Sequence, residues 1–163
     1  MNGDPNVLTK VLNFSLSGKG AHVEATAVFE GIDWNLAGVR PKGVKHSIFQ
    51  LLNHMVYWQE WALQWLENKK PKIPSRASAS WTGSVAPASQ EEWDEAVKRF
   101  NRVLAELNRQ SGLGDLFLRR GRQKSRLEMF QTIASHNSYH IGQVVLLRQM
   151  LQSWPPPSGG LTW

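Results

Sequence analysis

The sequence predicts an all-α protein built as a four-helix bundle, and three observations support this class. Three S-x-x-E/Q motifs, at Ser47, Ser89 and Ser125, each precede an apolar repeat of helical period. A shorter apolar segment between Asp4 and Gly18 supplies a fourth helix. No stretch of any length shows the alternation of apolar and polar residues that is typical of half-buried strands. Amphipathic helices of this number and length pack as a bundle.

The first helix is expected to have Asp4 as its N-cap, to begin at Pro5 and to end before Gly18. Proline is favoured at the first helical position, and glycine is favoured just past the end of a helix. A second amphipathic piece is predicted to start near Ala21 and to fade by Gly31. For the connector WNLAGVRPKGVK, residues 34–45, we expect no more than a short turn of helix, because it contains proline and two glycines.

Three long helices are predicted over residues 47–67, 89–111 and 125–152. In each, a serine oxygen can accept from the third backbone amide while a Gln or Glu side chain reaches back to the cap. These pairs are Ser47 with Gln50, Ser89 with Glu92 and Ser125 with Glu128. The 89–111 segment also carries an apolar seam at heptad spacing, formed by Trp93, Val97, Phe100, Leu104 and Leu107.

Two further segments are predicted to be irregular. Residues 69–88 are rich in Pro, Ser and Ala, and Trp81 is their expected anchor. So long a connection allows the helices on either side of it to run parallel. At residues 155–163 three prolines stop the last helix, and the tail either is flexible or lies over the surface, where Trp163 could hold it.

Composition limits the class of protein. The 163 residues are 41% hydrophobic and 20% charged, so we expect one globular domain over residues 1–163. The absence of cysteine excludes disulfides and thiolate metal sites. No apolar run approaches the ~18 residues that a membrane span needs. The first ten residues lack the pattern of a signal peptide, so we expect a cytoplasmic protein without membrane contact.

The net charge of +6 raises the question of nucleic-acid binding. Much of it lies in RRGRQKSR, residues 119–126. This segment falls between two predicted helices and has no interleaved aromatic residues for base stacking. We therefore interpret it as a solvated loop and expect no nucleic-acid partner.

Two histidines predict a metal site on the last helix. His136 and His140 are four residues apart, so their side chains lie on one face, and apolar neighbours turn that face inward. A zincin helix would need Glu directly after the first histidine, where this sequence has Asn137, so a protease of that type is disfavoured. His54, in phase with the apolar face of the 47–67 helix, is the candidate third ligand. Three neutral imidazoles bind Zn, Ni or Fe and leave a coordination position open.

Residues around this set have weaker signals. Gln143 could bind a ligand water or orient an imidazole, and Asn137 and Tyr139 flank the pair. Tyr139 and Tyr57 could each contact a substrate, although an aromatic position at the edge of the bundle is the more common role. His46 is expected to be exposed, and His22 to lie at the end of the bundle far from His54; the sequence favours neither as a ligand.

The tryptophans Trp58, Trp61 and Trp65 share one helix face. Such a face is more often core and subunit interface than a cofactor pocket, and it predicts a homodimer.

Two segments resemble the characteristic helices of the DinB/YfiT-like superfamily of metalloenzymes: HSIFQLLNHMVYWQ, residues 46–59, and HNSYHIGQVVLLRQML, residues 136–151. The most specific element is H-x-x-x-H-x-x-Q. GKGAH, residues 18–22, and RPKGVKHS, residues 40–47, are similar to one bacterial branch. The resemblance implies a bundle of up-down-down-up order and a divalent metal, typically Ni or Zn, on His54, His136 and His140.

Members of that superfamily include S-transferases and isomerases that use low-molecular-weight thiols. The resemblance therefore implies a metal-dependent transferase or hydrolase that acts on a small molecule, for example such a thiol. The alternative is a non-catalytic protein of the stress response that binds a metal or small ligand. An open cleft at the metal would favour the enzyme, and a site sealed by aromatic residues would favour the binding protein.

Overall fold

The computed structural model of the chain describes residues 5–119 and 124–160. These residues form α1 (Pro5–Ser17), α2 (Trp34–Ala37), α3 (Ile48–Leu66), α4 (Gln90–Ser111) and α5 (Arg126–Met150), with one 3₁₀ turn at Ala77–Ser80. Within the described ranges there is no β-strand, and a single isolated bridge pairs Arg119 with Ser125. The prediction of an all-α protein is therefore confirmed.

The predicted helix starts are accurate to one residue because the serine caps form. Ser47 and Ser125 each make a complete capping box. Ser89 accepts from the amide of Glu92, but the Glu92 carboxylate accepts from Ala88 instead of the cap amide. The Asp4 cap, the Trp163 anchor and residues 120–123 of the basic segment lie outside the described residues.

The end of α1 is fixed by Gly18, as the sequence predicts. Its φ is +77°, and a Cβ at this position would lie 2.0 Å from the His22 ring. By contrast, the expected amphipathic helix after Ala21 is wrong: residues 25–31 form consecutive turns. Their apolar side chains are still buried, with Val28 and Phe29 in the core. The apolar pattern of this segment therefore indicates which side chains are buried, but it does not indicate a regular helix.

Four long helices form the bundle, and polar contacts fix their directions. Arg126, the first residue of α5, donates to the carbonyl of Leu66 at the end of α3 and to that of Gln110 near the end of α4. Helices α3 and α4 are therefore parallel, and α5 is antiparallel to both. Thr9 and Asn13 of α1 lie beside Ser111, the last residue of α4. His22, just past the end of α1, lies farther along the bundle beside Ser138 of α5, so α1 runs parallel to α5 and the order is up-down-down-up.

Two arginines at the ends of α5 are buried in this packing. Arg126 is 7% exposed and Arg148 is 1% exposed. From the sequence, residues 119–126 are interpreted as a solvated loop, and this interpretation is wrong for Arg126. Its guanidinium binds the free carbonyls at the ends of two helices, groups that need a partner when they are buried.

The connector between α3 and α4 is tied to the start of α3. The Ser47 hydroxyl donates to the Val85 carbonyl, and the Gln50 amide donates to the Thr82 carbonyl at 3.4 Å. These contacts hold residues 80–85 against the first turns of α3. The described part of the tail, residues 155–160, lies over Gly31 and Glu30, where the Ser158 amide donates to a Glu30 oxygen at 3.3 Å.

No helix in the described part of the chain has the length and apolar character needed to cross a membrane.

Candidate metal centre

His54 lies two turns into α3 and is held on two sides by the connector. It is 6% exposed. Its Nδ1 lies 3.1 Å from the carbonyl oxygen of Ser80, and its ring stacks on the Trp81 indole with centroids 3.8 Å apart. The contacts that tie residues 80–85 to the start of α3 therefore also orient this imidazole.

His136 and His140 face His54 from α5. Nε2 of His136 lies 3.2 Å from Nε2 of His54. The His140 ring centroid lies 4.8 Å from that of His54 and 4.5 Å from that of His136. One nitrogen of each ring falls within 4.8 Å of the others. The antiparallel arrangement of α3 and α5 thus brings together the three histidines that the sequence selects.

Hydrogen bonds to the outer nitrogens set the tautomers of two of these rings. The Ser80 carbonyl can only accept, so Nδ1 of His54 carries the proton. Nδ1 of His140 lies 2.7 Å from Oε1 of Gln143, which also accepts. In both rings Nε2 is then the nitrogen that keeps its lone pair, and Nε2 of His54 faces the cluster. Such outer partners are characteristic of histidines that bind metals.

His136 differs from the other two. Its Nδ1 is buried and forms no hydrogen bond of good geometry with a described residue. Burial lowers the pKa of His136, and the Asn137 side chain next to it raises that pKa slightly. Because a buried polar atom without a partner costs about 1–3 kcal/mol, this cluster is not optimised for stability.

The buried environment of the cluster favours the neutral form of each imidazole ring. Burial lowers the pKa of His54 to about 4 and, with the neighbouring histidines, that of His136 to about 3. Burial also lowers the pKa of His140. All three imidazoles are therefore uncharged at neutral pH, which is the form that binds a metal.

The donor set fits a divalent ion. Zn–N bonds of about 2.0–2.1 Å place the nitrogens of a tetrahedral site about 3.4 Å apart. The 3.2 Å separation of His54 and His136 is already close to this value, and the 4.8 Å limit for the set needs only a small rotation of a ring. No carboxylate joins this group in the described residues, so three nitrogen ligands would leave the charge of the ion in place.

One side of the cluster is covered and another is open. His46 and His54 both stack on Trp81, with centroids 3.7 and 3.8 Å away. On another side, His136 lines a cavity of about 830 Å³, a volume within the usual range for small-molecule sites. Trp58, Trp61 and Trp65 form part of its wall. This tryptophan face therefore lines a cavity, and the predicted homodimer stays a prediction.

The remaining candidate residues are placed as follows. Gln143 accepts from His140. Asn137 is 1% exposed and neither polar atom of its amide has a partner. Tyr139 is 66% exposed, with the edge of its ring against His140. Tyr57 is half-buried beside Trp58.

Two histidines lie elsewhere than the sequence predicts. His46 is half-buried by its stack on Trp81, and burial together with the charge of Lys45 lowers its pKa. The expectation that it is exposed is wrong. His22 binds the Ser138 hydroxyl at 3.0 Å, at the level of the cluster on α5 and not at the far end of the bundle. The turn after α1 folds back along α5, which sequence periodicity could not show.

Two contacts that orient His54 could not be identified clearly from the sequence. The Ser80 carbonyl is a backbone group, which any residue would supply. The stack of Trp81 on His54 depends on how a long connector folds, although a single tryptophan among Pro, Ser and Ala did identify an anchor.

An up-down-down-up bundle with three inward histidines on two antiparallel helices defines a class of helical-bundle proteins whose histidine cluster could hold a metal ion. A family model described as the DinB superfamily matches residues 20–144, which is 125 of the 163 residues. The chain belongs to the DinB superfamily. No curated protein and no solved structure shows significant similarity to it.

Proposed function

We propose that the protein is a divalent-metal-dependent enzyme that uses His54, His136 and His140 as ligands and acts on a small molecule by S-transfer or hydrolysis. The observation that carries this proposal is the convergence of the three imidazoles beside an open cavity. A divalent ion bound there would lower the pKa of an adjacent thiol or water and so supply a nucleophile at neutral pH. Imidazole ligands suit Zn, Cu, Fe and Ni, and the family resemblance favours Ni or Zn among them.

The residues of the chain have separate roles in this proposal. Ser80 and Gln143 fix the tautomers of His54 and His140, so both rings present Nε2 to the ion. Trp81 covers the outer face of His54 and limits the access of water from the connector side. His136 is the ligand that faces the cavity, so a substrate would approach on its side.

The same cavity favours an enzyme over the non-catalytic binding protein that the sequence leaves open. A storage or structural site is closed around its ion, whereas a catalytic site keeps an accessible position. Trp81 stacks on His54. Trp58 and Tyr139 contact the cluster through ring edges, yet about 830 Å³ of space still adjoins His136.

Metal titration of the purified protein and of its His54→Ala variant tests the ligand set. We expect the wild-type chain to bind one Ni or Zn ion and the variant to bind at least ~100-fold more weakly, since it loses one of three ligands. The His22→Ala variant is the matched control, because His22 lies outside the group. Equal metal binding by wild type and His54→Ala would reject the proposal. A metal-free protein with full activity on an identified thiol or ester would reject its catalytic part.

A further inference from the structure

The cavity beside His136 is a cleft between α3 and α5. One wall carries indole rings and the other carries aliphatic side chains and the histidine. The lining residues that matter here are Trp58, Trp61 and Trp65 on α3 and Met129, Ile133 and His136 on α5. Large apolar walls with one polar point favour a ligand with an apolar body.

The direction of the two helices gives the cleft an orientation. His136 lies beside Trp58, with ring centroids 6.4 Å apart. Because α3 and α5 are antiparallel, Trp65 and Met129 lie together at the other end. Trp65 is seven residues from Trp58, and Met129 is seven residues from His136. At 1.5 Å per residue, each spacing corresponds to about 10 Å along its helix. The cleft therefore extends about 10 Å away from the metal centre.

The cleft carries positive charge away from His136. Its lining includes Lys69, Lys70 and Lys124, and no carboxylate among the described residues. Lys69 is paired with Glu67 at 2.7 Å. The Lys124 ammonium donates to the Thr132 hydroxyl at 2.8 Å, which places its charge four residues before His136 on α5. Neither Lys70 nor Lys124 has a carboxylate partner in the described part of the chain.

The segment that carries two of these lysines is fixed to the wall. The Trp61 indole donates to the Lys72 carbonyl at 3.1 Å. Pro71, which is half-buried, and Ile73 continue the lining on this side. This positively charged segment is thus held in place by a wall residue and belongs to the cleft.

We propose that this cleft binds an amphipathic anion. Its apolar body would lie between the indoles and Ile133, and its carboxylate, phosphate or sulfonate would lie at Lys70 and Lys124. The opposite end of the ligand then reaches His136. The assignment of that end as the reacting one rests on the proposed metal chemistry, whereas the preference for an anion rests on the cleft alone.

Calorimetric titration with three matched probes tests the preference: phenylhexanoate, phenylhexanol and phenylhexylamine, which differ only in the charge of the end group. We expect the full chain to bind the acid roughly tenfold more tightly than the alcohol, because each partly screened ion pair contributes a few-fold. We expect the amine to bind more weakly than the alcohol. Equal binding of acid and alcohol, or stronger binding of the amine, would overturn the proposal.

Lysine variants test whether the anion binds at this cleft. The Lys70→Gln/Lys124→Gln protein should lose the roughly tenfold preference for the acid and keep the affinity for the alcohol. Lys98→Gln, an exposed position on α4, is the matched control and should leave both unchanged. If the double variant keeps the preference, or if Lys98→Gln removes it, the lysines at the cleft do not bind the anion and the proposal fails.

One more variant separates this inference from the metal chemistry. His140 belongs to the histidine cluster but does not line the cleft. His140→Ala should therefore lose metal and still prefer the acid. A preference that disappears with His140 but survives in the double lysine variant would place the anion at the metal centre and reject the cleft. If the wild-type chain prefers the acid but binds no metal, the cleft assignment stands and the proposed function fails.

Discussion

Arg148 and His136 are both polar, lie on α5 and are largely removed from solvent, yet their hydrogen-bonding needs are met very differently. The Arg148 guanidinium donates to the Val28 carbonyl at 2.7 Å and to the Ser153 carbonyl at 3.0 and 2.7 Å. His136 contacts another histidine through Nε2, and its Nδ1 has no hydrogen bond of good geometry among the described residues. The hydrogen bonds of the arginine are thus supplied by the chain, whereas one buried nitrogen of the histidine region is left without a good one.

This difference indicates what each region is for. Buried polar groups that serve the fold are almost always satisfied by the protein itself. A buried cluster of neutral bases with one unpaired nitrogen costs stability, and such a cost is typical of functional sites. The cavity that reaches His136 and not Arg148 agrees with this assignment.

The comparison is tested most strongly by His136→Leu. We expect its zinc affinity to fall at least ~1,000-fold, because a ligand is lost. In the metal-free state we expect the free energy of unfolding to stay the same or rise by about 1 kcal/mol, since an unsatisfied polar atom is removed. Competition with a chromophoric chelator and unfolding in urea measure the two quantities.

His22→Leu is the control for that variant. His22 is satisfied at both nitrogens, by Val23 and Ser138. Its replacement should lower the free energy of unfolding by about 1 kcal/mol and leave zinc affinity unchanged. If His136→Leu instead destabilises the metal-free chain by more than His22→Leu does, the contrast between a structural and a functional polar group does not hold.

Arg148→Met tests the other half of the comparison, the buried arginine whose hydrogen bonds are satisfied. It leaves the Val28 and Ser153 carbonyls without their donor in a buried region, so we expect a loss of about 3 kcal/mol in the free energy of unfolding. Zinc affinity of the folded protein should stay within twofold. Arg102→Met, at an exposed ion pair with Glu95 that is 3.6 Å long, should change stability by less than about 0.5 kcal/mol. Similar losses for the two variants would show that Arg148 is not a structural contact.

The sequence was most informative where a side chain repeats along a helix. The phase of His54 with Leu51 and Trp58 placed it inward, and the four-residue spacing of His136 and His140 did the same on α5. Antiparallel packing of two such helices then leaves little freedom in how the rings meet. The serine caps fixed the helix starts for the same local reason.

Periodicity carries no information on how irregular segments fold back. The connector brings the Ser80 carbonyl and Trp81 onto His54 through contacts with Ser47 and Gln50 that are 32 to 38 residues apart in sequence. Likewise, the turn after α1 carries His22 to Ser138 across 116 residues. These contacts depend on the packed bundle and not on local preference, so they could not be predicted from one sequence.

Gln143→Ala tests whether the partner of His140 matters to the site. Removing the acceptor frees the ring to rotate and to change tautomer, and loss of such a partner typically costs 10–100-fold in metal affinity. We expect zinc affinity to fall within this range with little change in stability. Gln143→Glu, which keeps an acceptor, should retain most of the affinity, and Gln149→Ala, exposed on the same helix, should retain all of it. A Gln143→Ala protein with wild-type affinity would limit Gln143 to a packing role.

The smallest effect is the pH dependence of stability without metal. The folded pKa values of His54 and His136, about 4 and about 3, lie below the ordinary value of 6.5. Between pH 6.5 and 5 the unfolded chain therefore binds more protons than the folded one, and stability falls as pH falls. We expect a loss of about 1–2 kcal/mol over this window, reduced from the ideal value by the solvent that reaches the rings.

This window isolates the histidines because the carboxylates with lowered pKa values, such as Glu106 at about 2, stay ionised in the folded state there. Urea unfolding at several pH values in the presence of a chelator measures the slope, and His136→Leu should make it shallower. Parallel curves for the two proteins would mean that His136 binds a proton as readily in the folded chain as in the unfolded one. A ring that is so easily protonated would not be held neutral for a metal, and the contrast with the satisfied arginine would then reflect packing alone.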